Sequence, residues 1–484
     1  MSTGRWLKTQ MKQKLKAIFK GPVVFYPLLF AAFPILFLYA HNISETSASQ
    51  MWLSLVISVA ATLVLWAVLS LILRSLAKAG FATAIFLVFF FSYGRLYDGL
   101  NYLGVFVPKH AYLLPAMLFV WGYCVYFIGR AKRDFRITTR LFNIAAVVLI
   151  AINLFNIGSY QVRLARLSAD TPVESTEHTA ASPAELNTLP DIYFIILDEY
   201  AHPDTMKEWY DYDNSEFINS LEDKGFFVAH ESRTRTRSTA YSIASTLNME
   251  YTSLAAPLEI VKQMIATNKV VDFLNQRGYR YAYFQIDNWW RGTYGVDTDL
   301  PVDFQSPERN HLMTDFSRLL WNTTMLCPFY NHIYGTEYIR SWRNGLLDTL
   351  SHLKTMPDIE GPKIVIAHLM CPHEAFVFGP KGEYIAPANW SNYKDKQFYL
   401  GQYIFISAEI EKVIDVLLDK SEMPPIIILQ SDHGIRPYHP GIVIGGDEWE
   451  KILNAMYLPG MDADMLYDNI STVNTFRLIF NHYF

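Results

Sequence analysis

Three apolar stretches in the second half of the chain end in side chains that can bind a metal ion. "IYFIIL" is followed by Asp198 and Glu199, "KIVIAHL" leads to His373, and "PPIIILQS" leads to Asp432 and His433. In open α/β sheets, ligands bind beyond the carboxyl ends of the strands. Two carboxylates and an imidazole suit Zn²⁺ or Mn²⁺ better than Ca²⁺, which favours oxygen ligands. We therefore expect a divalent-metal site where these stretches end.

The Asp198-Glu199 and Asp432-His433 pairs also have an ordinary structural interpretation. Asp198 and Glu199 can form a helix cap or a solvated acidic turn, and Asp432 and His433 can be a simple hydrogen-bonded pair. Gly434 follows the second pair, and glycine permits an unusual backbone conformation at a turn. The residues alone leave open whether Asp198 or Glu199 is the principal metal ligand.

A metal-dependent hydrolase or transferase needs a nucleophile, and residues 232–251 offer several hydroxyl groups. They are Ser238, Thr239, Ser242, Ser245 and Thr246. The pattern from residue 239 is typical of the first turns of a helix, where free N–H groups and the dipole attract anions. Arginine side chains precede it and suit phosphate or sulfate oxygens; they are Arg233, Arg235 and Arg237. The alternative is a capped helix that follows an exposed basic strand.

Three histidines are candidates for handling protons or binding substrate. His368 and His373 frame the motif "HLMCPH", and His439 follows the Asp432-His433 pair closely enough to reach the same site. Such imidazoles can hydrogen-bond an oxyanion or protonate a leaving group. His368 can also be an ordinary core histidine at a strand end.

The elements that must position these residues have an α/β pattern. Unbroken apolar runs at 192–197, 279–286, 363–369 and 424–430 predict strands of a mostly parallel sheet that is covered on both faces. Residues 214–226, which begin at Asn214 as a cap, and residues 406–420 have helical patterns. The alternation predicts a doubly wound or sandwich α/β fold.

The first half of the chain has the composition of a membrane region. Of all 484 residues, 51% are hydrophobic and only 18% are charged, and the apolar residues concentrate before residue 160. Five apolar runs predict five spanning helices; they are about 22–41, 53–73, 80–94, 111–129 and 141–158. The third run is short and can begin earlier, across Lys78.

Basic residues in the short connections predict the orientation of these helices. Six Lys or Arg residues precede the first run and five lie in residues 130–140, whereas "NISETSASQ" after the first run has none. Since cytoplasmic loops carry the excess of Lys and Arg, the N-terminus is expected in the cytoplasm and everything after residue 160 outside. The sequence thus predicts a multi-pass membrane protein with an α/β domain outside the cytoplasm.

Three regions follow from these patterns. Residues 1–160 form the predicted five-helix membrane region, 161–189 a linker rich in Ser, Thr, Ala, Glu and Pro, and 190–484 the α/β domain. The net charge of −5 does not indicate the excess of positive charge that is typical of nucleic-acid-binding proteins. Three cysteines without a CxxC motif indicate neither a disulfide framework nor a cysteine metal site.

Taken in order, the motifs resemble the alkaline phosphatase superfamily. Within it they are most similar to the membrane-anchored sulfatase-like branch, which includes lipoteichoic acid synthases and lipid A phosphoethanolamine transferases. "STAYSIAS" resembles the nucleophile motif of these transferases, "SDHG" a metal-ligand motif, and "HLMCPH" part of a histidine motif. The resemblance covers nearly the whole chain and implies an extracytoplasmic alkaline-phosphatase/sulfatase-like α/β domain on a five-helix membrane anchor. It also implies a bacterial-type inner (plasma) membrane, with the α/β domain periplasmic or extracellular.

The resemblance also implies roles for individual residues. Thr239 corresponds to the nucleophile and metal-contacting threonine, and His373 to the substrate-side histidine. The metal ligands carried over are Asp432 and His433 with Glu199, or Asp198 as in the wider superfamily. Substrate contacts are expected from Arg237 and His368, and a further catalytic role from His439.

The implied activity is that of a metal-dependent phosphoryl-type transferase or hydrolase. Its expected substrate is an envelope lipid or glycan at the membrane, and its expected intermediate is covalent, on Thr239. Two departures from the family pattern bear on the substrate. Cys371 stands where the transferases have glycine, and "IRPYHPG" follows Gly434 where they have Glu-Ser.

Two other functions remain open at this stage. A sulfatase-type hydrolase is one, although the C/S-x-P-x-R motif that yields formylglycine is absent from the sequence. A non-catalytic sulfatase-like membrane protein is the other, and it predicts no bound metal. The sequence makes no prediction of the oligomeric state.

Overall fold

The structure is a computed structural model that describes most of the chain. The described residues are 23–43, 46, 48–102, 109–169, 189–285, 299–300, 315–330, 332–333, 336–385, 396–436, 438–439 and 442–484. The chain divides into two compact units. Met1–Arg166 and Arg309–Gly335 form the first, and Leu167–Glu308 and Thr336–Phe484 form the second.

The first unit contains the apolar helices that the hydropathy pattern predicts. In chain order they are α1 Tyr26–His41, α2 Ala48–Leu73, α3 Leu76–Tyr102, α4 His110–Arg130 and α5 Arg136–Ala169. Among the described residues, α2 to α5 are long and apolar enough to cross a membrane by length and composition, and α1 is a shorter apolar helix. The N-terminal apolar helices are therefore confirmed.

The third spanning helix begins before the apolar run at residue 80 and includes Lys78, which is the earlier start that the sequence allowed. Helix α3 begins at Leu76, and α1, with 16 residues, is the shortest of the five. Lys78 lies within α3, and its ammonium group donates a hydrogen bond of 2.9 Å to the carbonyl of Gly129. This bond, together with the long aliphatic stem, allows a charged residue in the first turn of an apolar helix.

The remaining elements alternate between helices and strands. They are β1 Ile192–Leu197, α6 Pro203–Tyr210, α7 Ser215–Asp223, β2 Phe227–Val228, α8 Thr239–Asn248, α9 Leu258–Ala266, α10 Lys269–Asn275, β3 Arg280–Gln285, α11 Asp315–Asn322, α12 Cys327–Tyr330, α13 Thr336–Leu353, β4 Lys363–Leu369, α14 Lys396–Lys420, β5 Ile426–Ser431, β6 Tyr438–His439, β7 Ile442–Val443, β8 Asn454–Tyr457 and α15 Thr472–Tyr483. Short 3₁₀ turns lie at Met356–Asp358 and Ala463–Met465.

The main sheet has the strand order β2-β8-β5-β1-β4-β3. Strands β5, β1, β4 and β3 are parallel, whereas β8 runs antiparallel to β5 and β2 antiparallel to β8. Leu197 at the end of β1 lies opposite Leu369 in β4 and Ser431 in β5. The four predicted strands thus form the parallel part of the sheet and end at one edge.

Both faces of this sheet are covered, as the unbroken apolar strands predict. Every residue of β1 is buried. Its odd-numbered side chains join a core with Phe217 of α7, Leu346 of α13 and Ile410 of α14, and its even-numbered ones join a core with Leu247 of α8 and Phe476 of α15. Each large apolar side chain buried in this way contributes about 1.5–3 kcal/mol. The result is a sheet between two helical layers.

The helical predictions hold with two corrections. Helix α14 begins at Lys396, ten residues before the predicted start at 406. Asn214 stands at the N-cap of α7, but its side chain does not cap the helix. Its amide group donates instead to the hydroxyl groups of Tyr200 and Tyr403, at 3.2 and 2.9 Å.

The division into regions differs from the predicted one in two places. Helix α5 continues to Ala169, beyond the predicted end of the membrane region at residue 160. Arg309–Gly335 groups with the membrane helices, although it lies within the predicted α/β domain. The rest of the predicted linker, residues 170–188, lies outside the described residues.

Candidate metal centre and active site

Three neighbouring strands bring two carboxylates and an imidazole together. Asp198 follows β1, Asp432 follows β5, and His368 lies in β4 opposite Ile196. All three side chains are buried, and their candidate ligand atoms lie within 4.8 Å of one another. These three side chains therefore lie together at the carboxyl edge of the sheet, and His368, which the sequence assigned to substrate contact, is one of them.

Asp432 has one fixed and one unpaired carboxylate oxygen. Its Oδ1 accepts hydrogen bonds from the backbone N–H groups of Glu199, at 3.0 Å, and His433, at 2.8 Å. Its Oδ2 is buried and has no hydrogen-bond partner among the described residues. The backbone thus orients the carboxylate so that one oxygen remains available.

His433 presents a lone pair toward the two carboxylates. Its Nδ1 lies 2.8 Å from the carbonyl oxygen of Gly434. A carbonyl only accepts hydrogen bonds, so in the neutral ring Nδ1 carries the proton and Nε2 the lone pair. That Nε2 lies 3.4 Å from Oδ2 of Asp432 and 4.0 Å from Oδ1 of Asp198. It has no hydrogen-bond partner within the part of the chain that the structure describes.

Asp198 shows the same division between its two oxygens. Oδ2 accepts hydrogen bonds from Nε2 of His368, at 3.0 Å, and from the hydroxyl of Thr239, at 3.4 Å. Oδ1 is buried without a partner among the described residues. Asp198 therefore connects the candidate nucleophile to the candidate metal ligands.

The residues present fit a divalent cation. Three buried atoms without described partners face one another: Oδ1 of Asp198, Oδ2 of Asp432 and Nε2 of His433. Buried polar atoms left without partners are costly, and two carboxylates with a neutral imidazole are a common donor set for Zn²⁺ or Mn²⁺. His368 is an alternative third donor, since it groups with the same two aspartates.

The electrostatics of the group agree with this fit. Burial raises the pKa of the Asp432 carboxyl, and the neighbouring Asp198 charge raises it further. Burial also raises the pKa of Asp198, but the charge of His373, with the hydrogen bond and charge of His368, outweighs burial, so the net pKa is lowered. The paired carboxylates therefore titrate unequally, and a cation between them would favour the ionised form of both.

Thr239 is the hydroxyl residue of the predicted set that reaches this group. It is the first residue of α8, it is 7% exposed, and its hydroxyl faces Asp198. The other candidates either bond backbone carbonyls or lie exposed: Ser242 donates to Asp432, Ser245 to Tyr241 and Thr246 to Ser242, while Ser238 is exposed. The bond from Ser242, at 2.6 Å, also fastens α8 to the loop after β5.

Glu199 takes a different position from Asp198. Its backbone is in the left-handed region, with φ of 58°. One carboxylate oxygen accepts the backbone N–H of Arg436 at 3.0 Å, and the other lies 3.8 Å from Nε2 of His373. The carboxylate thus lies between an imidazole and an arginine, and it is not part of the Asp198, His368 and Asp432 group.

Arg436 is a site residue that the sequence patterns did not predict. Its Nε lies 3.8 Å from Oε1 of Glu199, and its side chain is 42% exposed. The available signal was a single basic residue three positions after His433, in the stretch where the family motif ends.

His373 lies next to the carboxylates through its backbone as well as its ring. Its N–H donates to the carbonyl oxygen of Asp198 at 3.2 Å. The side-chain amide of Gln402 donates to the carbonyls of His373, at 2.8 Å, and Pro372, at 3.2 Å. The first bond holds the loop after β4 against the loop after β1, and the two bonds from Gln402 hold it against α14.

Two predicted site residues are not brought to the metal group by the described contacts. Arg237 is exposed, and its guanidinium carbon lies 4.6 Å from the ring centroid of Trp449. The backbone of His439 pairs with Ile442 in the two-stranded β6–β7 ribbon, and its side chain lies outside the described residues.

Gly434 is required for a reason that differs from the predicted one. Its backbone φ is not positive, so no unusual conformation is involved. A Cβ at this position would lie 2.4 Å from the carbonyl oxygens of both Glu448 and Lys451. The glycine therefore allows a close approach between the loop after β5 and residues 448–451, reinforced by its N–H bond of 2.8 Å to the Trp449 carbonyl.

No protein-family model matches this chain, and no curated protein matches it in sequence. Among solved structures, the lipooligosaccharide phosphoethanolamine transferase EptA from Neisseria meningitidis, an integral membrane protein, is similar over 95% of both chains, with 14% identity and a TM-score of 0.41. The C-terminal periplasmic domain of the phosphoethanolamine transferase EptC from Campylobacter jejuni has 14% identity and a TM-score of 0.38, over 63% of this chain and 92% of that one.

A structure from Bacteroides fragilis named as a sulfatase, yidJ, has 14% identity and a TM-score of 0.38, over 64% of this chain and 76% of that one.

Proposed function

We propose that this chain is a metal-dependent phosphoryl-type transferase or hydrolase that works through a covalent intermediate on Thr239. The observation that carries the proposal is the position of the Thr239 hydroxyl, 3.4 Å from Oδ2 of Asp198. The other oxygen of that carboxylate belongs to the set of buried donor atoms without described partners. A hydroxyl at a helix N-terminus beside a cation site is suited to attack on a phosphate ester.

Asp198, Asp432 and His433 would hold the ion, with Zn²⁺ or Mn²⁺ favoured over Ca²⁺ by the imidazole donor. When bound, a divalent cation supplies charge stabilisation to phosphoryl oxygens and lowers the pKa of a neighbouring hydroxyl. His368 would orient Asp198 rather than contact the substrate, because its Nε2 is hydrogen-bonded to Oδ2 of Asp198, the oxygen that also faces Thr239. Such partners of a ligand orient it and raise its affinity for metal.

Thr239 would form the new bond to phosphorus. Its hydrogen bond to Asp198 directs the hydroxyl proton toward the carboxylate, which leaves oxygen lone pairs for attack. As the Thr239 oxygen bonds phosphorus, the ester bond to the leaving oxygen breaks, and the threonine proton passes to Oδ2 of Asp198, to which it is hydrogen-bonded. That proton returns to the threonine oxygen when the phosphothreonine is cleaved. The free N–H groups of the first turn of α8 would stabilise negative charge on the phosphoryl oxygens.

His373 would handle the proton of the leaving and entering groups. Its Nε2 lies 3.8 Å from Glu199, so the imidazole and the carboxylate form a pair that can hold and release a proton. In the first half-reaction the leaving oxygen takes a proton from His373. In the second half-reaction an acceptor hydroxyl or water gives its proton to His373 as it attacks the phosphothreonine and frees Thr239.

The substrate would be a lipid or glycan of the cell envelope, reached on the outer side of the membrane. Four helices long enough to span a bilayer support a membrane location. The excess of Lys and Arg before α1 and between α4 and α5 supports a cytoplasmic N-terminus and an α/β unit outside.

The substrate is tested by mass spectrometry of envelope lipids and glycans from cells with the chain, without it, and with the Thr239→Ala variant. We expect one phosphate-containing substituent to disappear in the last two samples. Purified full-length chain should also turn over an aryl phosphate ester faster than the matching aryl sulfate. Preference for the sulfate, with unchanged envelope composition, would overturn the proposal in favour of a sulfatase-type hydrolase.

A further inference from the structure

Residues 315–330 are remote in sequence from the membrane region but belong to the same compact unit. We call them the inserted segment; they comprise α11 and α12 and lie between β3 and α13 in the chain. The elements on either side of the segment in sequence belong to the α/β unit. The inserted segment is therefore a second place, besides the end of α5, where the chain passes between the two units.

Apolar side chains fix one face of the inserted segment. Phe316 and Leu320 are 0% and 1% exposed and lie one helical turn apart in α11. They share a core with Ile35 and Tyr39 of α1 and Met51 of α2. This contact involves the second half of α1 and the first turn of α2, so it lies at one end of the helical bundle.

Backbone hydrogen bonds fix the segment to α3 at the same end. The N–H of Gly94 donates to the carbonyl of Thr323, and the carbonyl of Phe90 accepts the N–H of Met325, both at 3.0 Å. Phe90 and Gly94 are four residues apart, the spacing at which helical backbone groups bond to each other. The segment therefore bonds to the N–H and C=O groups of one i, i+4 pair in α3.

Gly94 permits this close approach because it has no side chain. A Cβ at Gly94 would lie 1.9 Å from the carbonyl oxygen of Asn322, a distance that no side chain tolerates. At Gly99, on the same helix, a Cβ would have no atom within 4 Å. The close approach is thus specific to the position that the segment contacts.

The other face of the inserted segment exposes large apolar side chains and nothing else. Among residues 316–330 the exposed residues are Leu319, Leu326 and Phe329, at 40%, 43% and 58%. A helix that faces water in this chain has a different surface, since the exposed residues of α14 are Gln397, Ala408, Lys412, Asp415, Asp419 and Lys420. The spanning helix α2 instead exposes residues such as Val56, Val64 and Leu71.

We propose that the inserted segment is a membrane-interface element whose exposed face contacts the acyl chains of the outer leaflet. Its packed face lies on the apolar helices α1 and α2, and its exposed face is apolar like the exposed face of α2. The bundle end it occupies is the one expected outside, because the basic connections lie at the other end. Its backbone bonds to α3 provide the partners that peptide groups need at membrane depth. The inference does not depend on the proposed enzymatic activity.

A spin label at position 329 tests the contact with lipid. The full-length chain, with Cys124→Ser, Cys327→Ala, Cys371→Ala and Phe329→Cys, is reconstituted in vesicles of phosphatidylethanolamine and phosphatidylglycerol. We expect the label to be relaxed more by oxygen, which partitions into lipid, than by a water-soluble nickel chelate. A label on Lys412→Cys, whose native side chain is 62% exposed, should show the opposite order.

Two outcomes would overturn the proposal. Equal access of the nickel chelate to positions 329 and 412 would place the segment in water. Protection of position 329 from both reagents would show that protein, such as a second copy of the chain, covers this face. The matched pair Gly94→Ala and Gly99→Ala tests how the segment is held. Gly94→Ala should shift the label at 329 toward the nickel chelate while Gly99→Ala leaves it unchanged, and no difference between them would contradict the contact at Gly94.

Discussion

Nε2 of His433 lies 3.4 Å from Oδ2 of Asp432, and neither atom has a hydrogen-bond partner among the described residues. The backbone of Glu199 and of His433 itself holds the other Asp432 oxygen, and the Gly434 carbonyl holds the other ring nitrogen of His433. Burying two such acceptor atoms side by side is costly unless a proton or a metal cation lies between them. The stability of the metal-free protein should therefore depend on this pair in a way that can be measured.

Replacing Asp432 by Asn should raise the melting temperature of the metal-free protein. The amide removes one buried charge near Asp198, and its N–H₂ group can donate to Nε2 of His433. The same variant should lose most of the stabilisation that metal gives the native chain, which is about 2.7 kcal/mol at a hundredfold excess of free metal over Kd. Thermal unfolding of both proteins, with and without chelator, measures the two effects. Equal gains from metal in both proteins would show that Asp432 is not a ligand.

His433 and His368 should differ in how they affect metal binding. His433→Ala removes a donor and should abolish stoichiometric binding, whereas His368→Ala removes a group that orients Asp198 and should weaken binding by about 10–100-fold. Titration with a metal-buffered chelator measures both affinities. A complete loss of binding in His368→Ala, with binding intact in His433→Ala, would favour the alternative ligand group of Asp198, His368 and Asp432.

Gly434→Ala should destabilise the α/β unit by about 1–3 kcal/mol, the usual cost of forcing an extra carbon into a packed site. The new Cβ would lie 2.4 Å from two carbonyl oxygens and would push the loop after β5 away from residues 448–451. Gly445→Ala is the matched control, since no atom lies within 4 Å of a Cβ there. Denaturant unfolding of the two variants makes the comparison, and equal midpoints would refute the close-approach explanation.

The orientation of the membrane helices can be tested by chemical labelling. Single cysteines at Thr46, between α1 and α2, and at Arg133, between α4 and α5, are placed in a cysteine-free background. A membrane-impermeant maleimide added to intact cells should modify the Thr46→Cys protein and spare the Arg133→Cys protein, because basic loops stay in the cytoplasm. The reverse pattern would place the α/β unit inside the cell.

Local sequence patterns predicted the parallel strands that carry the site and the two aspartates at their ends. The four parallel strands were recognised because side chains buried on both faces must all be apolar, as in β1 and β5. Asp198 and Asp432 were recognised because they end such strands. Lys78 was not an obstacle to predicting α3, since one charged residue near a helix end can reach a carbonyl outside the apolar region.

Features that depend on contacts distant in sequence were not predicted. Arg436 approaches Glu199 across 237 positions of the chain, and no local pattern marks that encounter. The need for Gly434 arises from two carbonyls of another loop rather than from its own backbone. The inserted segment has the periodicity of an ordinary amphipathic helix, and only the tertiary structure shows that Phe316 and Leu320 pack on membrane helices.

Whether Thr239 carries the phosphoryl group is tested most directly by peptide mass spectrometry of the metal-loaded, full-length chain. The protein is quenched with acid during turnover of an aryl phosphate ester and then digested. We expect a phosphate-containing adduct on the peptide with Thr239. Thr239→Ala should lack the adduct and lose turnover by roughly 10³–10⁶-fold, while Thr246→Ala, further along α8, should keep both. Full turnover by Thr239→Ala, or turnover by the native chain with no adduct on this peptide at any time, would contradict the proposed nucleophile.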